Sequence, residues 1–112
     1  MEGDRMFGLI GKMRAQPGKR DVLLDILLRG TEHMPGCLIY IVAKDPADPE
    51  AIWITEVWND QASHEASLSL PSVRAAISEG RPHIAGFDSS TPIEPVGGVG
   101  VPSASPATLP LE

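Results

Sequence analysis

The sequence predicts an α+β domain whose segments follow the order strand, helix, strand, strand, helix, strand. Three observations support this order. Apolar residues recur at helical spacing between residues 22 and 28, and residues 37–43 are apolar or aromatic at every position. The segment 45–50, Asp-Pro-Ala-Asp-Pro-Glu, is strong turn chemistry between that run and the next. A repeated split βαβ pattern of this kind is the ferredoxin-like fold, with an antiparallel sheet.

The first helix is predicted to begin within Gln16-Pro17-Gly18-Lys19. Pro17 is tolerated in a first helical turn, where its missing N–H costs nothing. The apolar residues between 22 and 28 give this helix a wide face for burial. Asp25 and Arg29 are spaced to pair across one turn.

The second half of the chain repeats the pattern. Residues 51–58 are expected to return as an antiparallel strand, after which Asn59 or Asp60 caps a helix. Pro71 interrupts that helix, so residues 72–79 are predicted to form a second short one.

The segment Cys37–Ala43 predicts an assembly as well as a strand. A strand that is apolar at every position must be covered on both faces. Helices in so short a chain can cover only one face, so the other needs a ligand or a second subunit. Two such sheets closing into a dimeric α/β barrel solve this problem most simply, and a homodimer is therefore predicted.

The composition changes near the end of the chain. Residues 83–96 are expected to form the last strand, irregular because Pro92 and Pro95 confine it to an edge or a bulge. From Gly97 onward the sequence is dense in Gly, Pro and Ser and has no helical or strand period. We therefore predict one domain over residues 1–96 and a flexible tail over residues 97–112.

Charge and composition argue against several classes of partner. The formal net charge is −6, and the basic residues are scattered, so neither a nucleic-acid surface nor a polybasic membrane patch is expected. A single cysteine, Cys37, fits a reducing compartment. The first residues lack the basic-then-apolar order of a signal peptide. The expectation is a cytoplasmic protein.

The third strand carries the first candidate site residues. By the two-residue period, Ile52, Ile54, Glu56 and Trp58 share one face. A carboxylate bordering an apolar region has a raised pKa and can act as a base, although Glu56 could equally meet a cation and have no chemical role. Trp58 could line a pocket at the strand end or simply fill the core.

The helix that follows supplies an imidazole. His64, Ser67 and Leu68 fall on one helical face, and the apolar Leu68 suggests that this face is buried. A sheltered histidine is either a hydrogen-bonded core residue or the best general base in this chain. Cys37 is predicted to be a buried structural thiol. The histidines lack close ligand spacing, and the glycines match no phosphate-binding loop, so neither a metal nor a cofactor is predicted.

These motifs, in their order, resemble the antibiotic biosynthesis monooxygenase domain family. The resemblance is carried by Pro17-Gly18-Lys19, by Pro35-Gly36-Cys37-Leu38, and by Glu56-Val57-Trp58 followed by His64. It covers the body of the chain and leaves the tail unmatched. It implies a dimeric ferredoxin-like barrel with one pocket in each subunit.

The resemblance also implies roles for residues. Trp58 matches the tryptophan that lines the family pocket, and His64 and Glu56 match the helix histidine and the strand acid. Family members include cofactor-free oxygenases of quinol- and anthrone-like aromatics, and relatives that degrade haem. The haem-degrading relatives carry an asparagine on the first strand, whereas residues 6–13 contain none here.

Two hypotheses follow. The first is a cofactor-independent monooxygenase that oxidises a small quinol- or anthrone-like aromatic with O₂. His64 or Glu56 would be the base, Trp58 a hydrogen-bond donor, and Ile52, Ile54 and Leu68 part of a dry wall around the substrate. The alternative is a non-catalytic dimeric barrel that binds a small apolar ligand or serves as an interaction module.

Overall fold

The structure, a computed structural model, describes residues 5–102 of the chain. Four strands form one antiparallel sheet: β1 (Phe7–Ala15), β2 (Cys37–Lys44), β3 (Ala51–Trp58) and β4 (Ile84–Ile93). Helix α1 (Arg20–Gly30) joins β1 to β2, and helices α2 (Gln61–Ser67) and α3 (Pro71–Gly80) join β3 to β4. The strand order is β2-β3-β1-β4. The predicted βαββαβ ferredoxin-like fold is thus confirmed.

The core lies between one face of the sheet and the helices. Its buried residues come from β1, β3 and α1: Met13, Ala15, Leu23, Ile52 and Ile54. Tyr40 and Val42 of β2 pack against them from the same side of the sheet. The strand register explains this arrangement, since Tyr40 lies opposite Glu56 and Val42 opposite Ile54. We call this side the helix-facing side and the other the open face.

Helix α1 begins later than predicted. Gly18 has a φ of 76°, which a helix does not accommodate, so Pro17 and Gly18 form a turn ahead of Arg20 instead of the first helical turn. The predicted pair is present, with Arg29 Nε donating to Asp25 Oδ2 over 3.0 Å. Gly30 ends the helix against α3, where an added Cβ would collide with Ala76.

Helices α2 and α3 follow the prediction closely. Asp60 is the N-cap of α2, and its carboxylate accepts a hydrogen bond from the backbone N–H of Ser63 over 2.8 Å. Pro71 starts α3 instead of lying before it, because proline is favoured in a first helical turn. Gly80 is the last residue of that helix.

Strand β4 is an irregular edge strand. Its pairing with β1 shifts register between Lys12 and Met13 and again between Arg14 and Ala15. It ends at Ile93, and residues 98–101 form a turn closed by an isolated bridge. The predicted flexible tail lies outside the described residues from 103 onward and stays a prediction.

Candidate active site

A cavity of about 330 Å³ lies between the helix-facing side of the sheet and the three helices. Most of its wall is aliphatic, from Leu23 and Leu27 of α1, Val73 and Ile77 of α3, and Met13 and Ile54 of the sheet. The polar or aromatic side chains that also reach it include Tyr40, Glu56, Trp58 and His64. An apolar pocket with a few converging polar groups is the usual form of a small-molecule site.

Glu56 and Trp58 form a pair within β3. The indole Nε1–H of Trp58 donates a hydrogen bond to Glu56 Oε1 over 2.9 Å. The two side chains meet because residues two apart project from the same side of a strand. Trp58 is almost fully buried, at 1% exposure, so the indole fixes one carboxylate oxygen from within the core.

His64 approaches the same carboxylate oxygen from α2. Its Nε2 lies 3.8 Å from Glu56 Oε1, and both side chains are largely sheltered from solvent. The imidazole sits between two rings, with its centroid 5.2 Å from that of Phe7 and 5.5 Å from that of Trp58. The edge-on contact with Trp58 holds the imidazole beside the cavity wall.

Tyr40 faces Glu56 from the neighbouring strand β2, as its register partner. Burial, with the Glu56 carboxylate as a second cause, raises the pKa of the Tyr40 phenol well above its ordinary value. Its side chain is therefore a neutral hydroxyl donor throughout the physiological range. Within residues 5–102 that hydroxyl has no hydrogen-bonding partner, which leaves it available to a bound molecule.

The structure thus brings Glu56, Trp58 and His64 together, as the sequence predicted. Ile54 and Leu68 also line the cavity, whereas Ile52 is fully buried in the core and does not line it. The predicted burial of Leu68 is wrong. Leu68 is 51% exposed at the cavity mouth, and Ser67, at 4%, is the buried residue, with its hydroxyl donating to the His64 carbonyl oxygen.

Tyr40 and Phe7 are the site residues that sequence reasoning missed. Tyr40 lay within a run read only for its apolarity, and its position opposite Glu56 depends on a register shift between Cys37 and Ile39. Phe7 begins β1 and pairs with Trp58, the last residue of β3. The two-residue period predicts which residues of a strand share a side, but it does not predict the register that places these two at the site.

The other histidines and the cysteine do not line the cavity. His33 is exposed in the segment after α1. Burial raises the pKa of the Cys37 thiol, with the Glu56 charge as a second cause, so the thiol is the dominant form. No group of three His, Cys, Asp or Glu side chains within residues 5–102 is arranged to hold a metal ion. Over the same residues, no helix combines the length and apolarity needed to cross a membrane.

Comparison with known families gives a match over most of the body. The model of the family described as antibiotic biosynthesis monooxygenase matches residues 6–79. That range contains β1 through nearly all of α3, and with them Phe7, Tyr40, Glu56, Trp58 and His64. No curated protein sequence matches the chain.

Solved structures of the same description are similar to this chain. A candidate antibiotic biosynthesis monooxygenase from Chloroflexus aurantiacus is 63% identical, with a TM-score of 0.82, over 83% of this chain and 95% of that one. One from Deinococcus radiodurans is 25% identical, with a TM-score of 0.69, over 82% and 94% of the two chains. One from Caulobacter crescentus is 20% identical with a TM-score of 0.65, over 83% and 90% of the two chains, and shows the shared fold alone.

Proposed function

The chain belongs to the antibiotic biosynthesis monooxygenase family, and from that premise we propose that it is a cofactor-independent monooxygenase. Its substrate would be a quinol- or anthrone-like aromatic that is oxidised by O₂. The observation that carries the proposal is the convergence of Glu56, His64 and Tyr40 on one largely aliphatic cavity. This arrangement supplies a base, a neutral donor and a water-poor wall around a single ligand.

The proposed chemistry begins with proton removal. His64, sheltered beside the cavity, takes a proton from the substrate at Nε2. The Glu56 carboxylate 3.8 Å away stabilises the imidazolium that forms. Trp58 holds that carboxylate in place through its N–H, so it orients Glu56 and does not itself contact the substrate oxygen. Trp58 therefore has a positioning role, in place of the direct donor role expected from the sequence.

The resulting anion can itself reduce O₂. An anthrone-like CH₂ group loses a proton to give an enolate, which transfers one electron to O₂. Recombination of the two radicals and uptake of a proton give a carbon-bound hydroperoxide, and loss of water then leaves a ketone. In sum, R₂CH₂ and O₂ give R₂C=O and H₂O, so one oxygen atom enters the product and the other leaves as water. The Tyr40 hydroxyl would donate to the enolate oxygen.

The other predicted site residues have structural roles in this proposal. Ile54 and Leu68 form part of the apolar wall, and Ile52 supports it from the core. We propose further that the working unit is a homodimer, in which the open face of the sheet is covered by a second copy.

Oxygen uptake with a panel of hydroquinones and anthrones, on protein treated with a chelator, tests the function. We expect substrate-dependent uptake that the chelator does not lower. His64→Ala should reduce the rate about 10²–10⁴-fold, as expected for the loss of a general base. Trp58→Phe keeps a ring but removes the donor to Glu56, so a smaller loss is expected.

His33→Ala is the matched control, since His33 is exposed away from the cavity, and it should leave the rate unchanged. Full activity in His64→Ala would move the base to Glu56. Activity that is lost to the chelator and restored by one metal would reject the cofactor-free mechanism.

The second candidate function, non-catalytic binding of an apolar ligand, rests on the same aliphatic wall. Tight ligand binding without any oxygen uptake across the panel would favour it.

A further inference from the structure

Phe87 of β4 lines the cavity although most of its side chain lies in water. It is 70% exposed, whereas Trp58, on the same cavity wall, is almost fully buried. Leu68 and Ile77 are also exposed where they border the cavity, so the three side chains form an apolar rim around its mouth. A phenylalanine on this rim still has a large apolar surface that contact with a bound molecule can remove from water.

A β-bulge directs Phe87 to the helix-facing side of the sheet. Lys12 of β1 lies opposite Ser89. The next residue of β1, Met13, lies opposite Phe87, so Asp88 is the extra, unpaired residue of a bulge. Without the bulge, Asp88 would pair with Met13 on the helix-facing side, and Phe87 would project from the open face. A shift of one residue exchanges the two sides of a strand in this way.

Two cations hold the bulge residue from the opposite side of the sheet. Arg14 donates to Asp88 Oδ2 over 2.8 Å, and the Lys12 ammonium lies 3.9 Å from the same oxygen. Lys12 and Arg14 flank Met13 on β1, so they project from the open face. Their bonds favour the conformation with the Asp88 carboxylate on that face, and therefore the one with Phe87 on the other. Asp88 itself does not line the cavity.

The Phe87 ring also borders a second apolar space. A hollow of about 360 Å³ shares Ile77, Ile84 and Phe87 with the cavity wall. The second register shift leaves Ala85 unpaired, so Phe87 lies on a short segment between two bulges. Rotation of the side chain about its own bonds carries the ring from one space toward the other. We call the second space the outer hollow.

We propose that Phe87 is the gate of the cavity. Its ring covers the mouth when an apolar molecule is bound, and rests toward the outer hollow while that molecule enters or leaves. Arg14 and Asp88 are positioning residues, because the bulge that they stabilise places the ring on this side of the sheet. Closure buries the ring against the bound molecule, so the gate slows dissociation more than association. The inference goes beyond the proposed function, since a gate serves a bound molecule whether or not it is oxidised.

Binding of N-phenyl-1-naphthylamine tests the gate without turnover. This neutral apolar dye brightens when it leaves water, and stopped-flow mixing gives its association and dissociation rates. Phe87→Ala should raise the dissociation rate and the Kd about tenfold. It should leave the Tm unchanged, because an exposed ring contributes little to folding. Phe87→Leu retains an apolar side chain and should show a smaller loss.

Asp88→Ala tests the positioning role, and Asp48→Ala is its matched control. Both carboxylates are partly exposed and bond to Arg14, over 2.8 Å for Asp88 and 2.9 Å for Asp48. Asp48 lies between β2 and β3 and borders neither the cavity nor the outer hollow. Asp88→Ala should raise the dissociation rate about threefold, since partly exposed ion pairs stabilise a conformation only modestly. Asp48→Ala should bind the dye as the natural chain does.

Unchanged dye dissociation in Phe87→Ala would overturn the inference, as would a natural chain that does not bind the dye. A lower light-scattering mass for Phe87→Ala, with unchanged binding, would assign the ring to a subunit contact instead. Equal effects of Asp88→Ala and Asp48→Ala would overturn the role of the bulge. Oxygen uptake is measured separately. Phe87-sensitive binding without uptake keeps the gate and rejects the oxygenase, whereas uptake with Phe87-insensitive binding keeps the oxygenase and rejects the gate.

Discussion

At the scale of single residues, the hydrogen bond from Trp58 to Glu56 determines how the site can work. An indole N–H has one hydrogen to donate, and here the carboxylate accepts it over 2.9 Å. Trp58 is thus not available as a donor to a substrate oxygen while this bond is kept. The neutral hydroxyl of Tyr40 is then the group best placed for that task, since it lies opposite Glu56 and borders the cavity.

Tyr40 allows a direct test because it is the only tyrosine in the chain. We expect its tyrosinate absorbance to appear only well above pH 10, the ordinary pKa of tyrosine being about 10. Because the pKa is raised in the folded state, the contribution to stability is complete below the unfolded pKa and is lost as the pH rises toward the folded one. Tyr40→Phe should therefore flatten the fall in unfolding free energy above about pH 10.

The same substitution separates the roles of the ring and the hydroxyl. Tyr40→Phe keeps the ring, so we expect it to lower kcat with a smaller effect on KM. An ordinary titration midpoint in the natural chain would show that the phenol is solvated. Unchanged kcat in Tyr40→Phe would remove Tyr40 from the mechanism.

The sequence predicted part of this site for a clear physical reason. The two-residue period of a strand places Glu56 and Trp58 on one side whatever the tertiary structure, and the helix after β3 brings His64 nearby. The two-residue period does not predict which group accepts the hydrogen bond from the Trp58 indole. Nor does it give the register of β2, which shifts between Cys37 and Ile39 and thereby places Tyr40 opposite Glu56.

At the scale of elements, helix α2 is the part of the site that depends most on contacts with the rest of the chain for its stability. It has only seven residues, and isolated helices of that length are unstable in water. Two contacts anchor its first turn: the Asp60 cap on Ser63, and the close approach of Gly36 to Ser63. Gly36 has a φ of 84°, so its position requires glycine both for backbone conformation and for space. His64 follows Ser63 directly, so these contacts also position the imidazole.

The Asp60 cap predicts a defined pH dependence. Hydrogen bonds from the Ser63 side chain and backbone lower the pKa of Asp60 below its ordinary value. Its stabilising effect is thus complete above the unfolded pKa, about 3.9, and is lost as the pH falls through the lower folded one. Asp60→Ala should lower the Tm at neutral pH. Asp60→Asn still caps the helix, so it should keep most of the natural Tm and flatten the fall of the Tm at acid pH.

Thermal melts followed by circular dichroism from neutral pH to about pH 2 make this measurement. Asp21→Ala is the matched control, since Asp21 is an exposed acidic residue in the first turn of α1 and not its cap. Equal Tm values for Asp60→Ala and the natural chain would show that the cap does not stabilise α2.

Element boundaries were harder to predict than element types. The apolar spacing of α1 was clear, but its start depended on the positive φ of Gly18, which moves Pro17 out of the helix. Likewise, Leu68 was assigned to a buried face by its residue type. It caps the C-terminal end of α2 at the cavity mouth, where half of its surface is exposed. Tertiary packing decides both where α1 begins and whether Leu68 is buried. The local sequence pattern carries no information about that packing.

At the scale of the whole molecule, the open face of the sheet carries apolar side chains that the helices do not cover. Ile39 and Ile41 of β2 lie opposite Val57 and Thr55 of β3, away from the helices. The turn at 98–101 approaches this face at Ile39, where a Cβ on Gly100 would lie 3.9 Å from Ile39 Cδ1. Ile41 is left 54% exposed. An apolar sheet face of this kind is a typical protein–protein interface.

We therefore expect a homodimer that buries about 1,600 Å² or more in total, with the Tm rising with protein concentration. Ile41→Lys places a charge on the open face, on the edge strand β2, where burial without a partner is costly, so it should shift the protein to monomers. Leu28→Lys is the matched control: Leu28 is also 54% exposed, but it lies on α1, on the opposite side of the sheet. Light scattering at micromolar concentration measures the mass of each variant. A monomer mass for the natural chain, or a dimer that Ile41→Lys leaves intact, would show that the open face is not the interface.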